Sequence, residues 1–144
     1  MDFTYQGIAK APIETVFEVL TDYPGMADIT PARKVVIEKQ GDPAPNGVGA
    51  VRAIHAVGPP LREEIVIFEP PTRFAYVLIS GAPLKNHRGD VTLGDNGNGT
   101  TSVVYTVHTE PKIPVAGHLA ATIAKQAVKG IFNGIIKESE RRAR

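Results

Sequence analysis

KIPVAGHLAATIAKQAVKGIFNGIIKESERRAR, residues Lys112 to Arg144, is the stretch on which the fold turns. After Pro114 it has no further proline, and Val115, Leu119, Ile123, Ala127, Ile131 and Ile135 recur at every fourth position. At about 100° per residue its apolar side chains cover about 220° of a helical cylinder. His118, Thr122, Lys125, Gln126, Lys129, Asn133 and Lys137 fill the remainder. An ordinary surface helix has an apolar stripe of about 100° or somewhat more, so this helix is expected to be gripped on more than one side. The middle of its expected buried face is small: Ala120, Ala124, Ala127, Gly130 and Gly134. Interiors pack to a density of about 0.74. Either another backbone comes close there, or a ligand fills the space.

Upstream of this helix the chain is a succession of short runs punctuated by Gly and Pro. Phe3 to Ile8 alternates as a first strand. Pro12 and Glu14 suit the first turn of a helix carrying Val16, Phe17 and Leu20 on its apolar face, and Pro24-Gly25 ends it. Met26 to Ile29 adds a short helical turn. Six further strands are predicted over Lys34–Lys39, Val48–Val57, Leu61–Glu69, Arg73–Ser80, Lys85–Leu93 and Thr101–Glu110. The intervals between the last five are too short for crossover helices, which makes the sheet an antiparallel meander. Strand, two short helices, six strands and a long helix make an α+β architecture: a curved seven-stranded antiparallel sheet wrapped around a long C-terminal helix, in a single domain over residues 1–144.

Composition bounds the function. With 144 residues, 42% hydrophobic and 22% charged, the chain suits one soluble globular core. A formal charge of +1 argues against a nucleic-acid-binding surface, and Arg141, Arg142 and Arg144 are read as cations at a helix end. No cysteine is present, which removes thiolate chemistry, disulfides and Cys metal ligands. The four histidines, His55, His87, His108 and His118, lack ligand spacing, so no metal or cofactor is expected. Met1 to Lys10 lacks the pattern of a leader, and no apolar run is long enough for stable membrane insertion. A cytoplasmic location follows as the default. Nothing in the sequence speaks to oligomeric state.

Several fragments recur in a known order: Ala11-Pro12-Ile13-Glu14-Thr15-Val16-Phe17 with Asp22-Tyr23, then Gly47-Val48-Gly49-Ala50-Val51-Arg52 and Arg62-Glu63-Glu64-Ile65. Glu69-Pro70-Pro71-Thr72-Arg73-Phe74-Ala75-Tyr76, Gly89-Asp90-Val91-Thr92-Leu93 and Gly99-Thr100-Thr101 continue it. In this succession the chain resembles the START-like helix-grip superfamily, also called SRPBCC, and most of all its bacterial polyketide cyclase/dehydrase branch. The resemblance spans essentially the whole chain. It departs where many relatives carry Trp and this chain has Phe17 and Tyr105.

The resemblance implies that Arg52 is a pocket residue. Glu64 on the next strand is then its expected partner, with Phe74, Tyr76, Val103, Tyr105 and Val107 lining the same cavity and Ala120, Ala124, Ala127 and Ile131 closing it from the helix. An inward arginine is costly unless paired, and its planar fork suits a carboxylate or polarised carbonyl. The other reading of Arg52 and Glu64 is a cross-strand pair on the outer face, worth at most about 1 kcal/mol. Glu63 and Glu64 point to opposite faces and so form no carboxylate pair. His87 and Asp90 are read as ordinary edge residues. The function expected is binding of a small hydrophobic ligand of the lipid, polyketide or isoprenoid class. The alternative is a polyketide cyclase or dehydratase using the same cavity, with Arg52 on an enolate and a tyrosine moving a proton. A protein-interaction adaptor is the third reading, and it requires a large exposed apolar patch.

Overall fold

Period-two alternation produces seven strands in the computed structural model, which describes residues 1–144: β1 (Asp2–Ala9), β2 (Lys34–Lys39), β3 (Val51–His55), β4 (Leu61–Glu69), β5 (Arg73–Ser80), β6 (Leu84–Asp95) and β7 (Thr101–Pro111). They form one antiparallel sheet in the order β1-β7-β6-β5-β4-β3-β2. Consecutive strands pair from β2 to β7. The chain closes by laying β1 beside β7, so β1 and β2 occupy opposite edges and the segment between them must cross the sheet.

That crossing segment is helical. Helix α1 (Ile13–Thr21) starts after the extended Pro12 and carries Glu14 in its first turn, and its buried residues include Ile13, Val16, Phe17 and Leu20. Thr21 Oγ1 donates to the Phe17 carbonyl, and a 3-10 helix, Pro24–Asp28, follows. Phe17 meets Phe68 of β4 edge to face, with ring centroids 5.3 Å apart. Edge-to-face packing of this kind adds about 0.5–1.5 kcal/mol to area burial.

Helix α2 (Pro114–Arg142) runs for 29 residues, with Arg141 and Arg142 in its last turn. It packs on β1, β6, β7 and α1, and the side it buries carries Gly117, Ala121, Val128, Phe132, Ile135 and Ser139. This corrects the expected facing residues. Ala127 is exposed and Ala120 and Ala124 are only half-buried, whereas Ile131 packs against the core as expected. The grip is uneven: the C-terminal half lies between sheet and α1, while Val115, Leu119 and Ile123 in the N-terminal half face solvent.

Two of the small residues answer to close neighbours. A Cβ on Gly134 would lie 2.5 Å from the Ile29 carbonyl oxygen, and one on Gly117 would lie 2.6 Å from the Pro111 ring. Backbone approach accounts for these positions. Gly130 has no such neighbour within 4 Å.

Candidate functional site

Arg52 sits on β3 directly opposite Glu63 of β4, and both side chains are buried, at 3% and 5% exposure. Directly paired residues share a sheet face. Arg52 Nε donates to Glu63 Oε1 at 3.0 Å, and Nη2 lies 2.8 Å from the same oxygen. Arg52 Nη1 reaches Met26 Sδ at 3.3 Å. The guanidinium carbon stands 4.8 Å from the Tyr76 ring centroid, 5.1 Å from Tyr23 and 5.6 Å from Phe74. Three aromatic faces and one carboxylate thus replace the water this cation gives up. Burial works against the charge, but the Glu63 carboxylate foremost holds the guanidinium above its ordinary pKa.

The expected Glu64 partner is therefore corrected to Glu63. Glu64 is half-buried, stands opposite Val51 and Val77, and points away from Arg52. The reason is a break in alternation. The β4–β5 register shifts between Ile65 and Ile67, so Phe68 and Glu64 lie on different faces despite their even spacing.

Tyr76 of β5 and Tyr105 of β7 project from strands on either side of β6, with their hydroxyl oxygens 2.5 Å apart. Only one of the two hydroxyl protons is used in that bond, which leaves the second available to a ligand oxygen. Burial pushes the Tyr105 hydroxyl up to about 12 and raises Tyr76 well above its ordinary value. Both are neutral donors at physiological pH. Tyr76 can take its position because its register partner is Gly89: a Cβ there would fall 2.4 Å from the ring.

Beyond Tyr76 lies a bulge. Between the pairs Lys85–Glu110 and Arg88–His108, two residues of β6, Asn86 and His87, oppose the single Thr109 of β7. Asn86 adopts φ 52°, and His87 and Thr109 are buried. Their His87 Nδ1 and Thr109 Oγ1 are the two buried side-chain polar atoms without a hydrogen-bond partner. Burial lowers the His87 pKa, outweighing the attraction of Glu63, and keeps the ring neutral. Its centroid is 6.4 Å from that of Tyr76.

Phe74, Val103 and Val107 are buried with Arg52, Tyr76 and Tyr105. Sequence reasoning set Glu63 and His87 aside and gave no site role to Tyr23, Met26 or Thr109. Thr109 shares the alternation of Val103, Tyr105 and Val107 and was readable on that ground; His87 is turned inward by a bulge that no pattern announces. No three His, Asp or Glu side chains converge as a metal site.

The space between these groups and α2 is nearly closed. The void bordered by Leu20, Met26, Arg52, Phe74, Tyr105 and Ile131 measures about 10 Å³. A larger concavity of about 560 Å³ lies outside the sheet–helix interior, between the segment Asp28–Pro31 and the C-terminal half of α2. Gly130 and Gly134 border that outer groove together with Lys137, Glu138, Arg141 and Arg144.

Comparison places this geometry in a known setting. The chain matches, over residues 2–143, the family described as polyketide cyclase / dehydrase and lipid transport. No curated protein matches it. Among solved structures it is similar to the Zhui aromatase/cyclase from Streptomyces sp. R1128, with TM-score 0.84 and 22% identity over 100% of this chain and 96% of that one. A START superfamily protein from Mycobacterium smegmatis gives TM-score 0.77 and 13% identity, covering 97% of each chain. A norcoclaurine synthase point mutant from Thalictrum flavum gives 0.74 and 13%, over 99% of this chain and 95% of that one. At these identities the solved structures speak for the fold alone, a helix grip of the START type. The family profile covers nearly the whole chain: the protein belongs to the polyketide cyclase / dehydrase and lipid transport family.

Proposed function

We propose that the protein binds a small, largely apolar molecule carrying a carbonyl or hydroxyl oxygen, held between the sheet and α2 with its oxygen toward Arg52 and the Tyr76–Tyr105 pair. The observation that carries this reading is the line of buried polar groups under the helix. It runs from the Arg52–Glu63 pair through the two tyrosine hydroxyls to the unpartnered His87 Nδ1 and Thr109 Oγ1. Apolar packing alone has no use for such a line, since each buried polar atom without a partner costs about 1–3 kcal/mol. A mostly apolar pocket with a few placed polar groups is the usual form of a small-molecule site. Lipid, polyketide and isoprenoid chemistries all meet this description.

Ligand pockets usually measure about 300–1,000 Å³, and the void measures about 10 Å³, so a ligand does not fit without movement. Occupation requires α2 to lift. The residues of α2 that border the void, and so must move, are Ile131 and Ile135. The test is an NMR titration with an aromatic hydroxyketone, following the Arg52 side-chain NH and the His87 ring. Saturable shifts at both, with broadening around Ile131 and Ile135 of α2, are expected. Absence of any shift at millimolar probe, together with no copurifying molecule by native mass spectrometry, overturns the reading.

One observation favours a second reading, an enzyme of the cyclase or dehydratase type. His87 is a neutral, buried imidazole with a free nitrogen beside Tyr76, the kind of base such a reaction needs. Arg52 would then stabilise an enolate and a tyrosine hydroxyl would donate a proton. Loss of turnover of a poly-β-ketone in His87→Ala, with hydroxyketone binding retained, separates this reading from simple binding.

A further inference from the structure

One end of the molecule gathers three segments that have no acidic residue between them. The loop after β3, Val57 to Pro60, touches the loop after β5, where a Cβ on Gly81 would lie 2.3 Å from the Pro60 carbonyl oxygen. The Lys112 amide donates to the Pro83 carbonyl at 2.9 Å, which ties the second loop to the start of α2. From these segments project Val57, Ile79, Ile113, Val115, Leu119 and Ile123, each between 50% and 100% exposed. No Asp or Glu occurs from Pro70 to Gly89 or from Pro111 to Lys137. Lys112, Lys125 and Lys129, which lie in the second stretch, form no ion pair, whereas Lys85 in the first stands opposite Glu110.

We propose that this end docks on an anionic lipid surface, with the apolar side chains entering the boundary between headgroups and acyl chains and the lysines meeting the phosphates. Amphipathic helices bind this way, with the apolar face entering about 5–10 Å and basic residues on the polar side. Lysine stems reach along the apolar surface to set their charges at headgroup level. A second copy is the poorer occupant, because a two-fold contact through this end would bring like charges together. An acidic protein would satisfy the lysines but needs a pocket for each projecting side chain, the wholly exposed Val57 above all. A bilayer receives them wherever the protein lands. The surface is separate from the interior polar groups, so the proposal stands or falls without the ligand.

Vesicle flotation of the full chain tests it. The protein is expected to float with vesicles of phosphatidylcholine and phosphatidylglycerol and to stay in solution with phosphatidylcholine alone. Salt should release it, as screening weakens attraction to the surface. Val57→Asp with Leu119→Asp changes two exposed positions, and unchanged thermal unfolding confirms that the fold persists. That variant, and separately Lys112→Glu with Lys125→Glu, should lower vesicle affinity at least about tenfold. Failure to float with anionic vesicles overturns the proposal, as does unchanged flotation of the Val57/Leu119 variant. Self-association abolished by Leu119→Asp, or binding to polyglutamate, in the absence of vesicle binding assigns the surface to a protein partner and also overturns it.

Discussion

Arg52 and Glu63 face each other across the β3–β4 ladder, both buried, and one carboxylate oxygen takes two guanidinium nitrogens at 3.0 and 2.8 Å. The pair is the fixed end of the interior polar line. It also has aromatic rings on several sides, so the cation is held by contacts that a surface ion pair lacks. Such a pair is expensive to break and cheap to replace as a unit.

Arg52→Ala should therefore cost about 3–5 kcal/mol in urea unfolding, because it leaves Glu63 charged and alone in the interior. The double variant Arg52→Met with Glu63→Gln should recover much of that loss. It should not recover hydroxyketone binding. Equal stability of Arg52→Ala and the native chain would show that the pair is not buried in solution.

The Tyr76–Tyr105 bond predicts a coupling. Tyr105→Phe leaves the Tyr76 hydroxyl without its partner, at about 1–3 kcal/mol. Removing both hydroxyls costs less than the sum of the single losses, and a double-mutant cycle on thermal unfolding reads the difference. Strictly additive losses would mean the two hydroxyls do not meet.

The order of elements was legible because it rests on two periods. Alternation in Thr101–Glu110 and the Gly/Pro breaks between strands announce an antiparallel meander, and the proline-free run after Pro114 announces α2. The inward face of β7 could be read as well, from Val103, Tyr105 and Val107, all buried. What escaped reading lies at bulges. One extra residue in β4 turns Glu63 inward in place of Glu64, and another in β6 turns His87 toward Thr109. Bulges depend on cross-strand register, which a local pattern does not encode. The alanines of α2 misled for a different reason. An apolar arc as wide as this one does not say which part is covered, and here Ala121 is buried while Ala127 is exposed.

Ala121 and Ala127 consequently behave differently on enlargement. Ala127→Phe places a ring in solvent and should change stability by no more than about 0.5 kcal/mol. Ala121→Phe overpacks the contact with the sheet and should cost about 1–3 kcal/mol. Urea denaturation of the two variants is the check, and the reverse order would place the helix in another rotation.

Two histidines give pH dependences of opposite sign. Burial lowers the His87 pKa below its ordinary 6.5, so the unfolded chain takes up a proton first as pH falls. Stability is full above 6.5 and declines below it until the folded value is reached. His108 bonds to Glu110 and to Asp2, and these partners raise its pKa above 6.5. Its contribution is complete below 6.5 and is lost as pH rises through the raised folded value. Histidine ring NMR titrations should show one value below and one above 6.5. Asp2→Asn should lower the second.

Gly89 connects the sheet to the polar line most directly. A Cβ there would lie 2.4 Å from Tyr76 Cε1 and Cζ and 2.6 Å from its hydroxyl oxygen, so Gly89→Ala must push the ring aside. The backbone of Gly89 is paired in register with Tyr76 and lacks positive φ, so the effect comes from the ring contact and not from strain. Displacing the ring moves the Tyr76 hydroxyl away from Tyr105 and loosens the face on which Arg52 rests. Gly89→Ala should therefore destabilise by about 1–3 kcal/mol, the usual cost of overpacking. It should also abolish the Tyr76–Tyr105 coupling. Tyr76→Ala in the same background removes the obstructing ring, and the alanine at position 89 should then cost almost nothing. If Gly89→Ala is equally damaging with and without the Tyr76 ring, the glycine serves the strand itself and not the placement of the hydroxyl.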